Sequence, residues 1–208
     1  MNSFEMDLKR AFLSRGFFIG LVLEVVILLT AGFDSDLFRM GVPVICTFPY
    51  ATAWLADYQS GFLKAYLPRC SVPAYILGKI LACGISGGAL EALGGWLYLC
   101  VKSKEEMQVS PMLLFMSGMF WAVLAAAIAA LSQSRYLAYG GAFVIYYLLV
   151  ILYERYFKSL YCLYPYEWIA PEHTWVFGKW GIVLLIAALT AVFICLYDMI
   201  LRRCISNV

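Results

Sequence analysis

The sequence predicts an all-α polytopic membrane protein, and three observations point there. Of its 208 residues 64% are apolar and only 13% are charged, with a mean hydropathy of +0.84. Soluble domains run to about 45–50% apolar and about 25% charged, so this is the composition of a chain solvated by lipid. The apolar residues also come in long runs that use up most of the length and leave no room for a large soluble domain. Finally, Lys and Arg are unevenly divided among the connections, which assigns sides to those runs.

A helix needs about 20 mainly apolar residues to cross the hydrocarbon core. Six runs meet or approach that length: 17–31, 40–56, 75–101, 111–131, 138–153 and 176–201. The first, second and fifth are short, so they must draw in flanking residues or thin the bilayer locally. Ahead of the first, "MNSFEMDLKRAFLSRGF" mixes Phe4, Met6, Leu8, Phe12 and Leu13 with charges. No small-residue cleavage pattern follows the apolar run, so residues 1–16 read as an interfacial amphipathic helix, not as a removable signal.

An even number of crossings puts both termini on one side. Connections on that side hold nine basic residues: Lys9, Arg10, Arg15, Lys64, Arg69, Lys79, Arg135, Arg202 and Arg203. The opposite side holds six: Arg39, Lys102, Lys104, Arg155, Lys158 and Lys179. The positive-inside rule then predicts cytoplasmic N- and C-termini in a multi-pass protein of the cell membrane. The segment 154–175, "ERYFKSLYCLYPYEWIAPEHTW", falls outside. Its Tyr and Trp favour the headgroup level, which predicts an extracellular excursion lying in or dipping into the interface.

Chemistry is sparse. No G-x-x-x-x-G-K-[ST] is present, because Gly78-Lys79 is followed by Ile80, so nucleotide is not bound by that mechanism. "ISGGALE" at 85–91 reads as small-residue helix packing. His173 is the sole histidine, and Ser117 in "MSGM" lacks the flanking glycines of an intramembrane protease. The expectation is a chain without catalytic residues, metal or resident cofactor. Seven cysteines without a C-x-x-C pair behave as small hydrophobes, and a Cys100–Cys162 link stays open.

Two carboxylates fall inside the spans, Glu24 in "IGLVLEVVILL" and Glu91 in "GGALEALGG". Gly84, Gly88, Glu91 and Gly95 step by four, three and four, on one helix face, and Gly16, Gly20 and Glu24 make a shorter stripe. Small residues so spaced let backbones approach closely, within a subunit or across a dimer. The carboxylates serve either that packing or a cargo or cation on a translocation path.

The stretch "GFLKAYLPRCSVPAYILGK" (61–79) is basic and twice broken by proline. Helical spacing puts Phe62, Leu63, Tyr66 and Leu67 on one side with Lys64 displaced; Pro68 stops the helix and Pro73 extends the chain before the next span. It reads either as an ordinary loop with a snorkelling lysine or as a docking helix for a cytosolic partner.

With this stretch, the N-terminal amphipathic segment and six spans with both ends inside, the chain resembles the membrane subunits of ABC-2 type ABC transporters. In sequence the likeness is confined to "DYQSGFLKAYLPRCSVPAYILGKILACGISGG" (57–88), through Gly61, Lys64, Pro68-Arg69 and the Tyr75 to Gly78-Lys79 pattern. The resemblance implies one transmembrane domain over 1–208 with a cytoplasmic loop at 57–75. Within it a coupling helix at 59–68 would place Gly61, Phe62, Leu63, Lys64, Tyr66, Leu67, Pro68 and Arg69 against a cytosolic ABC ATPase. Two copies of that ATPase would hold the ATP and Mg, and a second membrane subunit, identical or not, would complete a dimer in the bilayer. No nucleic acid is among the implied partners. The implied function is export of an amphipathic or hydrophobic cargo, a peptide first and a drug or lipid second. A rival reading is the six-span substrate-binding module of an energy-coupling-factor importer, which would use the glycine seam and have no need of a helix at 59–68.

Overall fold

The computed structural model describes residues 3–67, 70–102, 109–175 and 177–206, and every regular element among them is helical. Helices α1 (Ser3–Phe12) and α2 (Arg15–Ala31) meet at 46° and together are long and apolar enough for one bent crossing. Ser14 makes the bend: its hydroxyl accepts from the Phe17 N–H at 3.0 Å and caps α2. In α1 Asp7 and Ala11 are buried, while Glu5 and Lys9 pair at 3.0 Å on the exposed side.

The predicted span 40–56 is not one helix. Helix α3 (Asp36–Ile45) carries Pro43 in its last turns and ends at Cys46; tight turns through Pro49 lead to α4 (Ala53–Gln59). A proline removes one helical N–H and crowds the preceding turn, and two of them six residues apart outweigh the apolar run. The broken backbone stays bonded through Thr47 N–H to the Val44 carbonyl (3.2 Å), Phe48 to Ile45 (3.1 Å) and Ala51 to Thr47 (3.3 Å). Cys46, Thr47, Tyr50 and Ala51 are buried within the protein.

Gly61, at φ 72°, turns the chain into the short helix α5 (Phe62–Tyr66), a conformation open to glycine without strain. Then follow the long helices α6 (Val72–Val101), α7 (Pro111–Ser132), α8 (Arg135–Arg155) and α9 (Lys179–Ile205), all four long and apolar enough to span. Among the described residues four helices, or five with the bent α1–α2 pair, are thus long and apolar enough to cross, in place of six uninterrupted runs. Helices α6 and α7 are the centre: their most apolar stretches are 67% and 72% buried, against 17% and 22% for α8 and α9.

Between α8 and α9 two 3-10 turns (Tyr161–Leu163 and Pro165–Trp168) fold back into the bundle. Pro165 to Trp168 are buried, and Trp168 stacks on Trp121 at 5.9 Å and meets Phe120 edge-on at 5.3 Å. Trp121 lies ten residues into α7, about 15 Å from its start at about 1.5 Å per residue, so the segment dips well below the helix ends. Removing such a ring leaves a cavity. Trp168→Ala is expected to cost about 3–5 kcal/mol, read as a fall in the thermal midpoint of the purified chain, with the half-buried Trp175→Ala as the milder comparison.

Candidate functional site

At the end of the bundle where α6 begins, α1, the 46–52 turns, α4 and α6 converge on one buried lysine. Lys79 is 1% exposed. Its Nζ lies 2.6 Å from Asp57 Oδ2, 2.9 Å from Asp7 Oδ1 and 2.9 Å from the Tyr50 hydroxyl, which uses the three donors an ammonium carries. Tyr50 donates in turn to Asp7 Oδ1 at 2.5 Å, and Tyr75 donates to Asp57 Oδ2 at 3.4 Å. Arg10, at the rim, donates to Asp57 Oδ1 at 3.2 Å and sits 3.9 Å from Asp7. Two carboxylates face two cations, so the cluster is neutral. Gly78 allows it to close, since a Cβ there would sit 3.2 Å from Asp7 Oδ2 and 3.5 Å from the Phe4 Cα.

None of this was singled out in the sequence beyond Lys79's place in the Gly-Lys pair. Asp7, Asp57 and Lys79 come from three separate segments, and no local spacing joins them. The usable signal was a lysine one turn inside an apolar run, because a buried lysine requires a partner.

Helix α5 hangs beside this cluster. Leu63 is 1% exposed and points inward, contrary to the expectation that it would join a partner-facing stripe. Tyr66 is half-buried, with its ring 5.1 Å from Phe62 and 5.8 Å from Tyr75, and Leu67 is half-buried. Among the described side chains, α5 exposes Phe62 and Lys64, with Gly61 exposed just before it. Five residues form the helix, fewer than the 59–68 expected, because Gln59 closes α4. Pro68 and Arg69 lie outside the described residues.

The glycine seam faces α7. A Cβ at Gly84 would lie 3.0 Å from Met119 Cγ, one at Gly88 2.6 Å from the Phe115 carbonyl oxygen, and one at Gly95 2.5 Å from Leu114 Cδ1. From the other side, a Cβ at Gly118 would lie 2.6 Å from Glu91 Cγ. Of the two contacts left open, within a subunit or across a dimer, the stripe makes the first. On α6's other flank Gly94 faces the Glu24 carboxyl with no room for a side chain, and Gly20 faces Leu90. Glu24 and Glu91 are thereby neighbours between α2 and α6, both 0% exposed. Among the described residues no hydrogen bond of good geometry reaches any of their four oxygens. One charged side chain at a helix centre costs about 2.5–3.5 kcal/mol on insertion scales.

At the opposite end, the buried Glu167 carboxylate accepts from the backbone N–H groups of Glu172 (3.2 Å) and His173 (3.3 Å). It also contacts His173 Nδ1 at 2.7 Å. The sole histidine is thus engaged by Glu167, and Ser117, fully buried in α7, has no hydrogen-bond partner among the described residues. Arg39 covers the Tyr166 ring at 3.4 Å, and the Tyr166 hydroxyl donates to Asp34 at 3.1 Å. Burial pushes that phenol up against the opposing pull of Arg39, so it serves as a neutral donor. All seven cysteines are free, Cys100 and Cys162 included. No cluster of three or more metal-ligating side chains occurs among the described residues. No family model matches the chain, and no curated protein or solved structure matches it at a significant level.

Proposed function

We propose that the chain is the membrane subunit of an ATP-driven exporter of the ABC-2 type. It would move an amphipathic or hydrophobic cargo, a peptide before a drug or lipid, with ATP and Mg held by two copies of a separate cytosolic ATPase and with a second membrane subunit beside it. One observation carries the reading: a short helix, α5, projects Phe62 and Lys64 while its base is tied to two membrane helices. Leu63 anchors it inward, and Asp57, at the end of the preceding helix, reaches Lys79 of α6, which also holds Asp7 of α1. A partner pressing on α5 would load the heads of α1 and α6 together.

In this reading the Lys79 end is cytoplasmic, as the basic residues suggest. The α3–turn–α4 segment is the second of six crossings. Support comes from its contacts: Phe38 meets Phe33 at 5.4 Å, Phe33 meets Tyr98 at 5.0 Å, and Asp57 meets Lys79. From Lys79 to Tyr98 helix α6 rises about 28 Å at about 1.5 Å per residue, close to the hydrocarbon thickness of about 30 Å. The interior of one chain is filled by Trp54, Trp121 and Trp168, so the cargo path would run along an outer face, where α2 exposes Phe18, Val22 and Val26.

The test is co-purification. F62D/K64E is expected to lose the ATPase with only a small fall in the thermal midpoint of the membrane subunit, because both side chains are exposed and Phe62 gives up only its stacking on Tyr66. Tyr66→Asp is the poorer probe, since Tyr66 packs on Tyr75. An ATPase complex that survives F62D/K64E would refute the docking role of α5.

A further inference from the structure

We propose that Glu24 and Glu91 form a proton-binding site between α2 and α6 at membrane depth, holding at least one proton where the two carboxyls meet. The site stands apart from α5 and does not depend on which partner, if any, docks there.

Three features place a proton here. The two carboxyls are neighbours and fully buried, and among the described residues neither finds a hydrogen-bond partner outside the pair. Two bare carboxylates buried side by side would repel one another strongly in a low-dielectric interior. An O–H shared between them converts that repulsion into a charge-assisted hydrogen bond.

The broken second segment adds an independent contribution. The carbonyl end of α3 arrives at the same place. The Ile45 carbonyl oxygen lies 3.5 Å from the Cβ position of Gly20, one turn before Glu24, and the Cys46 carbonyl oxygen lies 2.9 Å from that of Gly87, one turn before Glu91. A helix C-terminus carries partial negative charge, which adds to the demand for a positive one. Among the described residues the titratable side chain facing the pair is Cys46, with the Cys83 thiol beyond, and neither supplies positive charge. Lys79, three turns down α6, is already bound by Asp7 and Asp57.

The fit also suits a proton, which needs no volume. Backbone presses on both acids, with Gly94 against the Glu24 carboxyl and Gly118 against Glu91. Because the proton sits where α2 meets α6, a motion that parts these helices and admits water opens a route for it to exchange. Such motion is thereby coupled to pH.

Infrared spectroscopy of the full chain in lipid nanodiscs at neutral pH tests this. The wild type is expected to show a protonated-carboxyl C=O band that moves on transfer to D2O. Labelling with 13C-glutamate should shift the band and assign it to glutamate without any substitution. The band should weaken in E24Q and E91Q and vanish in the E24Q/E91Q double variant. A wild type with no such band overturns the proposal, as does a band insensitive to 13C-glutamate or undiminished in a folded double variant. A thermal stabilisation specific to Na+ or K+ and lost in the double variant would also overturn it, in favour of a metal ion at the pair.

Discussion

Lys79→Met is expected to destabilise the chain by about 3–5 kcal/mol, because breaking a buried ion pair from one side leaves charge uncompensated. Here two carboxylates are stranded together, Asp7 and Asp57, at 2% and 6% side-chain exposure. Arg10, 45% exposed at the rim, is too far out to replace three close contacts. The measurement is the thermal midpoint of detergent-solubilised chain by size-exclusion chromatography. A second comparison separates charge from packing: adding D7N and D57N to K79M should recover a large part of the loss, since the neutral amides no longer repel. If K79M melts with the wild type, the cluster does not hold α1 and α4 to α6.

The second large effect is expected at Gly87. A side chain there would strike the Ala122 Cβ, the Cys46 carbonyl at 2.9 Å and the Gly118 carbonyl at 3.1 Å. Two of these are backbone atoms of different segments, so no rotamer change makes room. Overpacking costs about 1–3 kcal/mol where neighbours can yield, and Gly87→Leu should reach or exceed the top of that range. Gly140 is the matched control, because nothing lies within 4 Å of its Cβ position. Gly140→Ala should stabilise α8 by about 0.5–1 kcal/mol through backbone entropy alone. Thermal melts of the two variants should move in opposite directions. A Gly87→Leu protein as stable as Gly140→Ala would mean the α6–α7 contact is looser than these distances require.

The last four long helices were legible from hydropathy because their apolar runs match helix length. The runs 75–101, 111–131, 138–153 and 176–201 correspond to Val72–Val101, Pro111–Ser132, Arg135–Arg155 and Lys179–Ile205. Hydropathy measures burial in lipid and not backbone continuity, so it passed over the break that Pro43 and Pro49 make in 40–56. The stripe Gly84, Gly88, Glu91, Gly95 was readable from its spacing, since a helix carries its own period. That α7 would fill it was not, because nothing in α6 names its neighbour. The same reason hid the pairing of Glu24 with Glu91, and it hid the ion cluster more completely. Asp7 lay in a segment read as interfacial, and Asp57 in a loop read for its glycine and basic residue. For α5 the period grouped Phe62, Leu63, Tyr66 and Leu67 on one face, but Leu63 is buried and Phe62 exposed, because the direction of each side chain follows from Tyr75 and the buried side of α6.

The pocket that receives Trp168 has a consequence for how the chain is made. Phe120, which Trp168 meets, is itself walled by Phe193 of α9 at 5.7 Å, and Trp121 is walled by Tyr146 of α8 at 5.8 Å. The receptor for the 161–169 segment is therefore incomplete until the final helix has entered the membrane, although that segment is synthesised before it. Trp168 is therefore expected to dock late, after the helix that follows it in sequence has taken its place beside α7.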